Sequence, residues 1–147
     1  MNLVFRPFQD RDFEFLVSYM FGLYEEDPGG EEMELEKIQK TIQTLRERPS
    51  LGEIVVFEMD QQIVGYALLI NYWSNEYGGM IVNLDELYVQ KAFRNQGIAS
   101  RFIQYLVNRS EEEIAFELEV MPNNKKALKL YLSLGFEIDQ NTHLIYD

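Results

Sequence analysis

Several residue types are missing or scarce in this sequence, and each absence excludes a class of protein. The 147 residues contain no cysteine, which excludes a disulfide framework and thiolate metal sites. Histidine occurs once, at His143, so we expect no metal cofactor. No apolar run approaches the roughly 20 residues that span a bilayer, and the first residues lack the pattern of a secretion signal. Together these features predict a cytoplasmic protein.

Positive charge is also scarce. The chain carries 13 Lys and Arg against 25 Asp and Glu, which gives a formal net charge of −12 at pH 7. Such a balance repels nucleic-acid phosphates and anionic lipid headgroups, so we expect neither nucleic acid nor a membrane as a partner. It favours a cationic partner, although solubility is a simpler role for an acidic surface.

Apolar residues, by contrast, are plentiful and regularly spaced. Hydrophobic residues make up 46% of the chain, enough for a substantial core. Their periodicity predicts the order β-α-α-β-β-β-α-β-α-β-β. The predicted helices lie near residues 13–24, 35–45, 98–107 and 124–134. The predicted strands are residues 3–5, 54–59, 63–73, 80–89, 114–120, 136–138 and 143–146.

This order of elements predicts an α/β fold. We expect residues 1–147 to form one domain, with a mixed central sheet of about seven strands flanked by four helices. Short links between residues 54 and 89 predict an antiparallel meander. The strand at 80–89, the helix from 98 and the strand at 114–120 predict one parallel crossover.

The segment RNQGIA, residues 94–99, lies between a predicted strand and a predicted helix. The first turn of a helix has unpaired N–H groups and the positive end of the helix dipole. Gly97 would let a ligand approach the backbone closely, and Arg94 adds a cation. These features predict a site for phosphate or pyrophosphate. Taken alone, they also fit an ordinary helix start with a solvated arginine.

A second segment carries a family resemblance. Residues 119–136, EVMPNNKKALKLYLSLGF, closely resemble the second signature of the GNAT family of N-acetyltransferases. The loop at 94–99 resembles the first signature of that family. The approach strand at 84–89 and the opening residues 6–12 are also typical of it. The resemblance extends over essentially the whole chain, with the motifs in the expected order.

The resemblance implies acetyl-CoA as co-substrate, without a metal. In this family the co-substrate lies where two parallel strands splay apart, which here would be strands 80–89 and 114–120. The first strand of the pair contacts the pantetheine arm, and the loop holds the pyrophosphate. The residues implied to bind it are Leu87, Val89, Arg94, Asn95, Gln96, Gly97, Ile98, Ala99 and Asn124. Asn124 is also a favourable helix N-cap.

The resemblance also implies catalytic residues. Tyr131 stands where the family has its general acid, although a core tyrosine is the alternative. Asp85 occupies the position at which some relatives, polyamine acetyltransferases among them, carry a glutamate that acts as the base. Glu86 is adjacent, and strand alternation allows at most one of the two to face the cleft. The pattern favours Asp85 acting through water, and a solvent-exposed carboxylate pair remains the alternative.

The implied activity is acetyl transfer to a primary amine by direct attack on the thioester. The first two helices and the link after Trp73 wall the acceptor side in this family. The acidic and aromatic residues there are Tyr24, Glu25, Glu26, Asp27, Glu31, Glu32, Tyr72, Trp73, Glu76 and Tyr77. They favour a small cationic amine such as a polyamine, an amino sugar or a lysine-like compound. A protein lysine or N-terminal acetyltransferase and a non-catalytic acyl-CoA-binding module are alternatives, and a homodimer is left open.

Overall fold

The structure is a computed structural model that describes residues 2–109 and 112–147. The strands in these residues are β1 (Leu3–Pro7), β2 (Gly52–Met59), β3 (Gln62–Ser74), β4 (Gly79–Val89) and β5 (Glu113–Leu118). The helices of eight or more residues are α1 (Phe13–Glu26), α2 (Leu35–Glu47), α3 (Ile98–Arg109) and α4 (Lys125–Ser133). Within the same residues, no helix is long and apolar enough to cross a membrane.

The strands form one mixed sheet in the order β1-β2-β3-β4-β5. The first three pairings are antiparallel, and β4 pairs with β5 in parallel. The turn between β2 and β3 contains Asp60 and Gln61, both with positive φ, as a tight hairpin requires. Helix α3 connects β4 to β5, so the predicted meander and the parallel crossover are both confirmed.

Each face of the sheet carries its own apolar cluster. Helix α3 covers one face, where Phe102 packs against Phe57 with ring centroids 4.7 Å apart. Helices α1 and α2 cover the other face, where Met20 and Ile38 pack with Tyr66. Both helices can do this because their apolar residues recur at helical spacing and form one stripe. The sheet is therefore the middle layer, and its strand ends are available for a site.

The prediction of about seven strands is wrong, because the described residues form five. The two short strands expected at 136–138 and 143–146 have no assigned pairing partner in the described part of the chain. Leu144 and Ile145 are 87% and 76% exposed, so ordering them there buries little apolar surface. A short apolar pattern predicts an extended segment but does not specify a neighbouring strand. The mixed sheet and the four helices are as predicted.

A β-bulge in β4 sets the directions of the side chains near its end. Leu69 of β3 pairs with Leu84, and Leu68 pairs with Glu86, so Asp85 is one extra residue on β4. Leu84 packs in the cluster beneath α3, whereas Glu86 contacts Tyr66 on the opposite face. Simple alternation would place Leu84 and Glu86 on the same face. The bulge therefore turns Glu86 towards α1.

Candidate active site

A cleft of about 1040 Å³ opens where β4 and β5 separate. The parallel pairing ends at Leu84 and Leu118, whereas β4 continues to Val89. One wall is formed by residues 84–89 of β4 and the loop that leads into α3. The facing wall is formed by residues 118–121 and by α4, and the C-terminal turn of α1 closes one side. The splayed strand pair is thus present at the predicted place.

The loop that leads into α3 is shaped by two residues with positive φ, Asn95 at 64° and Gly97 at 76°. Apart from the residues next to it in the chain, no atom of the described residues lies within 4 Å of where a Cβ on Gly97 would stand, so the loop faces open space there. The amide of Arg101 donates to the Gly97 carbonyl at 3.0 Å and starts the helical hydrogen bonds. The N–H groups that precede it have no acceptor within the helix. This arrangement suits an anion.

Two cations lie beside this loop. The Arg94 side chain donates from Nε to the Val89 carbonyl at 2.6 Å and from Nη2 to Glu26 at 2.8 Å. Lys126, near the start of α4, donates from Nζ to Asn95 Oδ1 at 2.8 Å. This second contact links the two walls of the cleft. Both cations are close enough to the loop to attract a bound phosphate group.

The backbone of β4 presents alternate groups to the cleft. The amide of Gln90 donates to Val64 on β3 at 2.8 Å. Because groups on an antiparallel strand alternate in direction, those of Leu87 and Val89 point away from β3. Val89 fits this pattern, since its carbonyl accepts from Arg94. The cleft side of β4 therefore offers backbone donors and acceptors to an extended ligand.

Tyr131 lies on α4 in the facing wall of the cleft. Its ring packs edge-on against Phe136 with centroids 5.9 Å apart. Burial raises the pKa of the phenol to about 12, so the group is protonated at neutral pH. Asn124 caps the helix, and its Oδ1 accepts from the Ala127 amide at 3.2 Å. Capping fixes the start of the helix that carries Tyr131.

A buried carboxylate lies at the opposite wall of the cleft. Glu86 is 7% exposed and accepts one hydrogen bond on each oxygen, from Tyr24 at 2.6 Å and from Tyr66 at 2.8 Å. Burial raises the pKa of the Glu86 carboxyl, and the two phenol donors oppose that effect only in part. No Lys or Arg forms an ion pair with Glu86 among the described residues. A cationic ligand in the cleft would stabilise the ionised form of this carboxyl.

Asp85, at the bulge, also lines the cleft but is exposed to solvent. The protein packed around it raises the pKa of its carboxyl, and the charge of Glu119 on the facing wall raises it further. A weak contact from Asn83 at 3.5 Å opposes these effects. Asp85 is thus a better proton acceptor near neutral pH than an ordinary aspartate.

Comparison with known proteins places this cleft in a family. A family model described as "Acetyltransferase (GNAT) family" matches residues 15–136, which include every wall of the cleft. The chain belongs to the acetyltransferase (GNAT) family. The prediction of a GNAT acetyltransferase is thereby confirmed.

The relatives agree with this assignment. The chain is 35% identical over 75 residues to thialysine N-epsilon-acetyltransferase from Sus scrofa, and equally so to that of Mus musculus. Each match covers 50% of this chain and 44% of the relative, so the chain aligns with less than half of these curated relatives. A possible acetyltransferase from Clostridium difficile 630 has the same fold, with a TM-score of 0.85. That match has 22% identity and covers 100% of this chain and 99% of the other.

The GNAT cleft brings together nearly all the predicted catalytic and cofactor-binding residues, but only three of the ten predicted acceptor-wall residues. Of the twelve candidate site residues, Gln96 alone is missing from the lining. Of the expected acceptor wall, Tyr24, Glu26 and Asp27 line the cleft. The aromatic residues at the end of β3 and in the turn after it do not line the cleft, and Tyr72, Trp73 and Tyr77 are exposed.

Two contributors to the site were missed in the sequence. In the sequence, Tyr66 looks like an ordinary core residue of a buried strand. Its hydrogen bond to Glu86 depends on the bulge. Lys126 reads as one of several lysines at the start of α4, and its contact with Asn95 spans 31 residues. Neither contact has a local sequence signal, because each depends on how distant segments meet.

Proposed function

We propose that this protein is an acetyl-CoA-dependent N-acetyltransferase that acetylates the primary amine of a small cationic molecule. Membership of the GNAT family supports the acetyl transfer. The partial similarity to thialysine N-epsilon-acetyltransferases supports a lysine-like amine as the acceptor. Residues 1–147 act in this proposal as one catalytic domain.

The cleft suits acetyl-CoA as co-substrate. The loop around Gly97 would hold the pyrophosphate through backbone N–H groups, with Arg94 and Lys126 beside it. The outward backbone groups of Leu87 and Val89 suit the amides of the pantetheine arm. When bound, the co-substrate supplies an acyl thioester that an amine can attack.

The buried Glu86 is the observation that carries the choice of a cationic acceptor. A carboxylate that is removed from water without a cationic partner is costly, and its hydrogen bonds from two neutral phenols do not cancel its charge. An alkylammonium in the cleft would compensate that charge. In this proposal Glu86 attracts and orients the amine, and Tyr24 and Tyr66 hold the carboxylate in place.

Two further residues handle protons. Asp85 accepts a proton from the amine through water, which leaves the nitrogen lone pair free to attack the thioester carbon. The carbon–sulfur bond then breaks, and Tyr131 donates its phenol proton to the departing sulfur. Burial keeps this phenol protonated before that step. After the attack the nitrogen carries one surplus proton, which returns through water to the Tyr131 phenolate, and the proton on Asp85 passes to solvent. The products are the acetylated amine, a free thiol and one proton, and both side chains return to their starting states.

The test is the release of free thiol from acetyl-CoA in the presence of different amines. The panel contains polyamines, amino sugars, lysine, thialysine, and peptides with a free lysine or a free N-terminus. The proposal predicts release with at least one class of small cationic amine. Release with peptides alone would replace it with a protein acetyltransferase. CoA binding without release for any amine would favour a binding module.

A further inference from the structure

The last turn of α1 contacts the cofactor loop through an ion pair that the proposed reaction does not use. Glu26 accepts from Arg94 Nη2 at 2.8 Å, and Lys91 Nζ is 3.6 Å from its other oxygen. The Arg94 guanidinium also lies over the Tyr88 ring, 5.3 Å from the centroid. Three groups therefore hold Arg94: the Glu26 carboxylate, the Tyr88 ring and the Val89 carbonyl. Of these, only Glu26 carries a charge.

These contacts leave Arg94 able to bind a phosphate. A guanidinium has five N–H donors, and the hydrogen bonds to Val89 and Glu26 occupy two of them. The contacts with Val89 and Tyr88 would hold the side chain in place without Glu26. The main electrostatic effect of Glu26 is thus to offset the positive charge of Arg94 and to repel an anion at the loop.

We propose that Glu26 is a positioning residue that weakens cofactor binding by competing with the pyrophosphate for Arg94. This inference rests on the proposed function, because it takes CoA as the ligand of the loop. Its consequence is faster release of the CoA product, which would otherwise be bound by an uncompensated arginine. Since Glu26 lies two residues after Tyr24, the same turn of α1 contacts both the acceptor carboxylate and the cofactor loop.

The test is calorimetric measurement of CoA affinity for four single variants and for the double variant that combines Glu26→Gln with Arg94→Gln. Glu26→Gln removes the charge and keeps an oxygen acceptor for Arg94. Glu26→Asp keeps the charge on a shorter side chain, and Arg94→Gln removes the cation. Glu14→Gln removes the same charge from an exposed position in the first turn of α1, where it does not line the cleft. Dephospho-CoA, which lacks only the 3′-phosphate, serves as a second ligand.

We expect Glu26→Gln to lower the Kd for CoA about threefold to tenfold and to slow its dissociation, because one opposing charge is lost. Glu26→Asp and Glu14→Gln should bind as the wild type does. In the Arg94→Gln background, adding Glu26→Gln should change the Kd less than twofold. Glu26→Gln alone should lower the Kd for dephospho-CoA by the same factor as the Kd for CoA, since that ligand keeps the pyrophosphate.

Three results would overturn the inference. One is an unchanged Kd in Glu26→Gln when the wild type binds CoA normally. The second is an effect that persists in the Arg94→Gln background, because it would not depend on the ion pair. The third is an effect seen with CoA but not with dephospho-CoA, which would assign Arg94 to the 3′-phosphate. A wild-type protein that does not bind CoA at all would instead contradict the proposed function.

Discussion

Asp85 and Glu86 are adjacent carboxylates on β4, yet their surroundings differ. Glu86 is buried and both of its oxygens accept phenol hydrogen bonds, whereas Asp85 is exposed in the cleft. A residue that binds a cation needs a fixed charge, and a residue that takes a proton needs access to water. The two environments therefore favour separate roles for the two residues. The expectation that at most one of them would face the cleft is wrong, because both line it.

Tyr131→Phe tests the general acid. Removing the hydroxyl leaves the departing sulfur without a proton donor, so kcat should fall roughly a hundredfold or more. The Kd for CoA should stay within about twofold of the wild type, because the ring is retained. Steady-state kinetics and calorimetry measure the two quantities. Tyr77→Phe, at an exposed position outside the cleft, is the control. An unchanged kcat in Tyr131→Phe would exclude it as the acid.

Glu86→Gln tests the recognition of a cationic amine. The amide keeps the shape of the side chain but loses the charge, so KM for the amine should rise about tenfold. The corresponding loss of binding free energy is about that of one hydrogen bond to a charged group. The change in kcat should be smaller. Glu47→Gln, exposed on α2, is the matched control. If KM stayed the same while kcat fell sharply, Glu86 would be a proton acceptor rather than a binding residue.

Asp85→Asn tests the proton acceptor through the pH profile. The protein packed around Asp85 and the charge of Glu119 raise its pKa, so kcat should decline with acidification at a pH above the ordinary aspartate value of about 3.9. Below the raised pKa the group is protonated and cannot accept a proton. Asp85→Asn should lower kcat and abolish this decline of kcat at acidic pH. Glu119→Gln should shift the decline to lower pH. If the decline of kcat at acidic pH remained in Asp85→Asn, a group other than Asp85 would be responsible for it.

At the scale of elements, β4, the loop that leads into α3, α4 and the last turn of α1 contribute most of the site. The sequence predicted both elements and the loop between β4 and α3, because strand and helix periods are local properties. The bulge at Asp85 was not predicted, since an extra residue in one strand shows only against its neighbour. The side-chain partners of Glu86 follow from that bulge, so they were not predictable either.

Asn124→Ala tests the contribution of the cap to α4. Loss of the hydrogen bond from Oδ1 to the Ala127 amide should lower stability by about 1 kcal/mol. Thermal or denaturant unfolding measures this change. Asn124→Asp keeps an acceptor oxygen and should retain most of the stability, and Asn141→Ala, in the exposed C-terminal segment, is the control. Equal losses in Asn124→Ala and Asn141→Ala would contradict the capping role.

At the scale of the whole molecule, one ion pair joins β1 to the start of α1. Arg6 donates to both oxygens of the buried Asp12 at 2.8 and 2.9 Å, and also to Glu58 on β2. Burial alone would raise the pKa of Asp12, but hydrogen bonds from Arg6 and the Gln9 amide outweigh it and lower the pKa. The typical opening noted in the sequence, Arg6 through Asp12, thus has a structural role, since it joins β1 and β2 to the start of α1.

Asp12→Asn tests this role. Breaking a buried ion pair should lower the free energy of unfolding by about 3 kcal/mol. Because the folded pKa of Asp12 is lowered, its contribution is present above the unfolded value of about 3.9 and is lost as pH falls towards the folded value. Asp10→Asn removes an exposed partner of Arg46 and should cost less than about 1 kcal/mol. Similar losses for both variants would contradict the buried pair as the stabilising contact.

The overall strand count shows the limit of sequence patterns. Helix number, sheet type and the parallel crossover were predictable, since each follows from a long periodic segment or a short connection. The two C-terminal strands were wrongly predicted from a few apolar residues, among them Leu144 and Ile145, which lie exposed. Pairing between strands depends on contacts distant in sequence, and a segment of three or four residues does not specify them.

The central claim is tested most directly by following a labelled acetyl group. Acetyl-CoA with an isotope-labelled acetyl group is incubated with the protein and the small cationic amine that gives the fastest thiol release. Mass spectrometry then locates the label. The account predicts one labelled amine for each thiol released, with the label on nitrogen. Thiol release with the label in free acetate, and the amine unmodified, would contradict it.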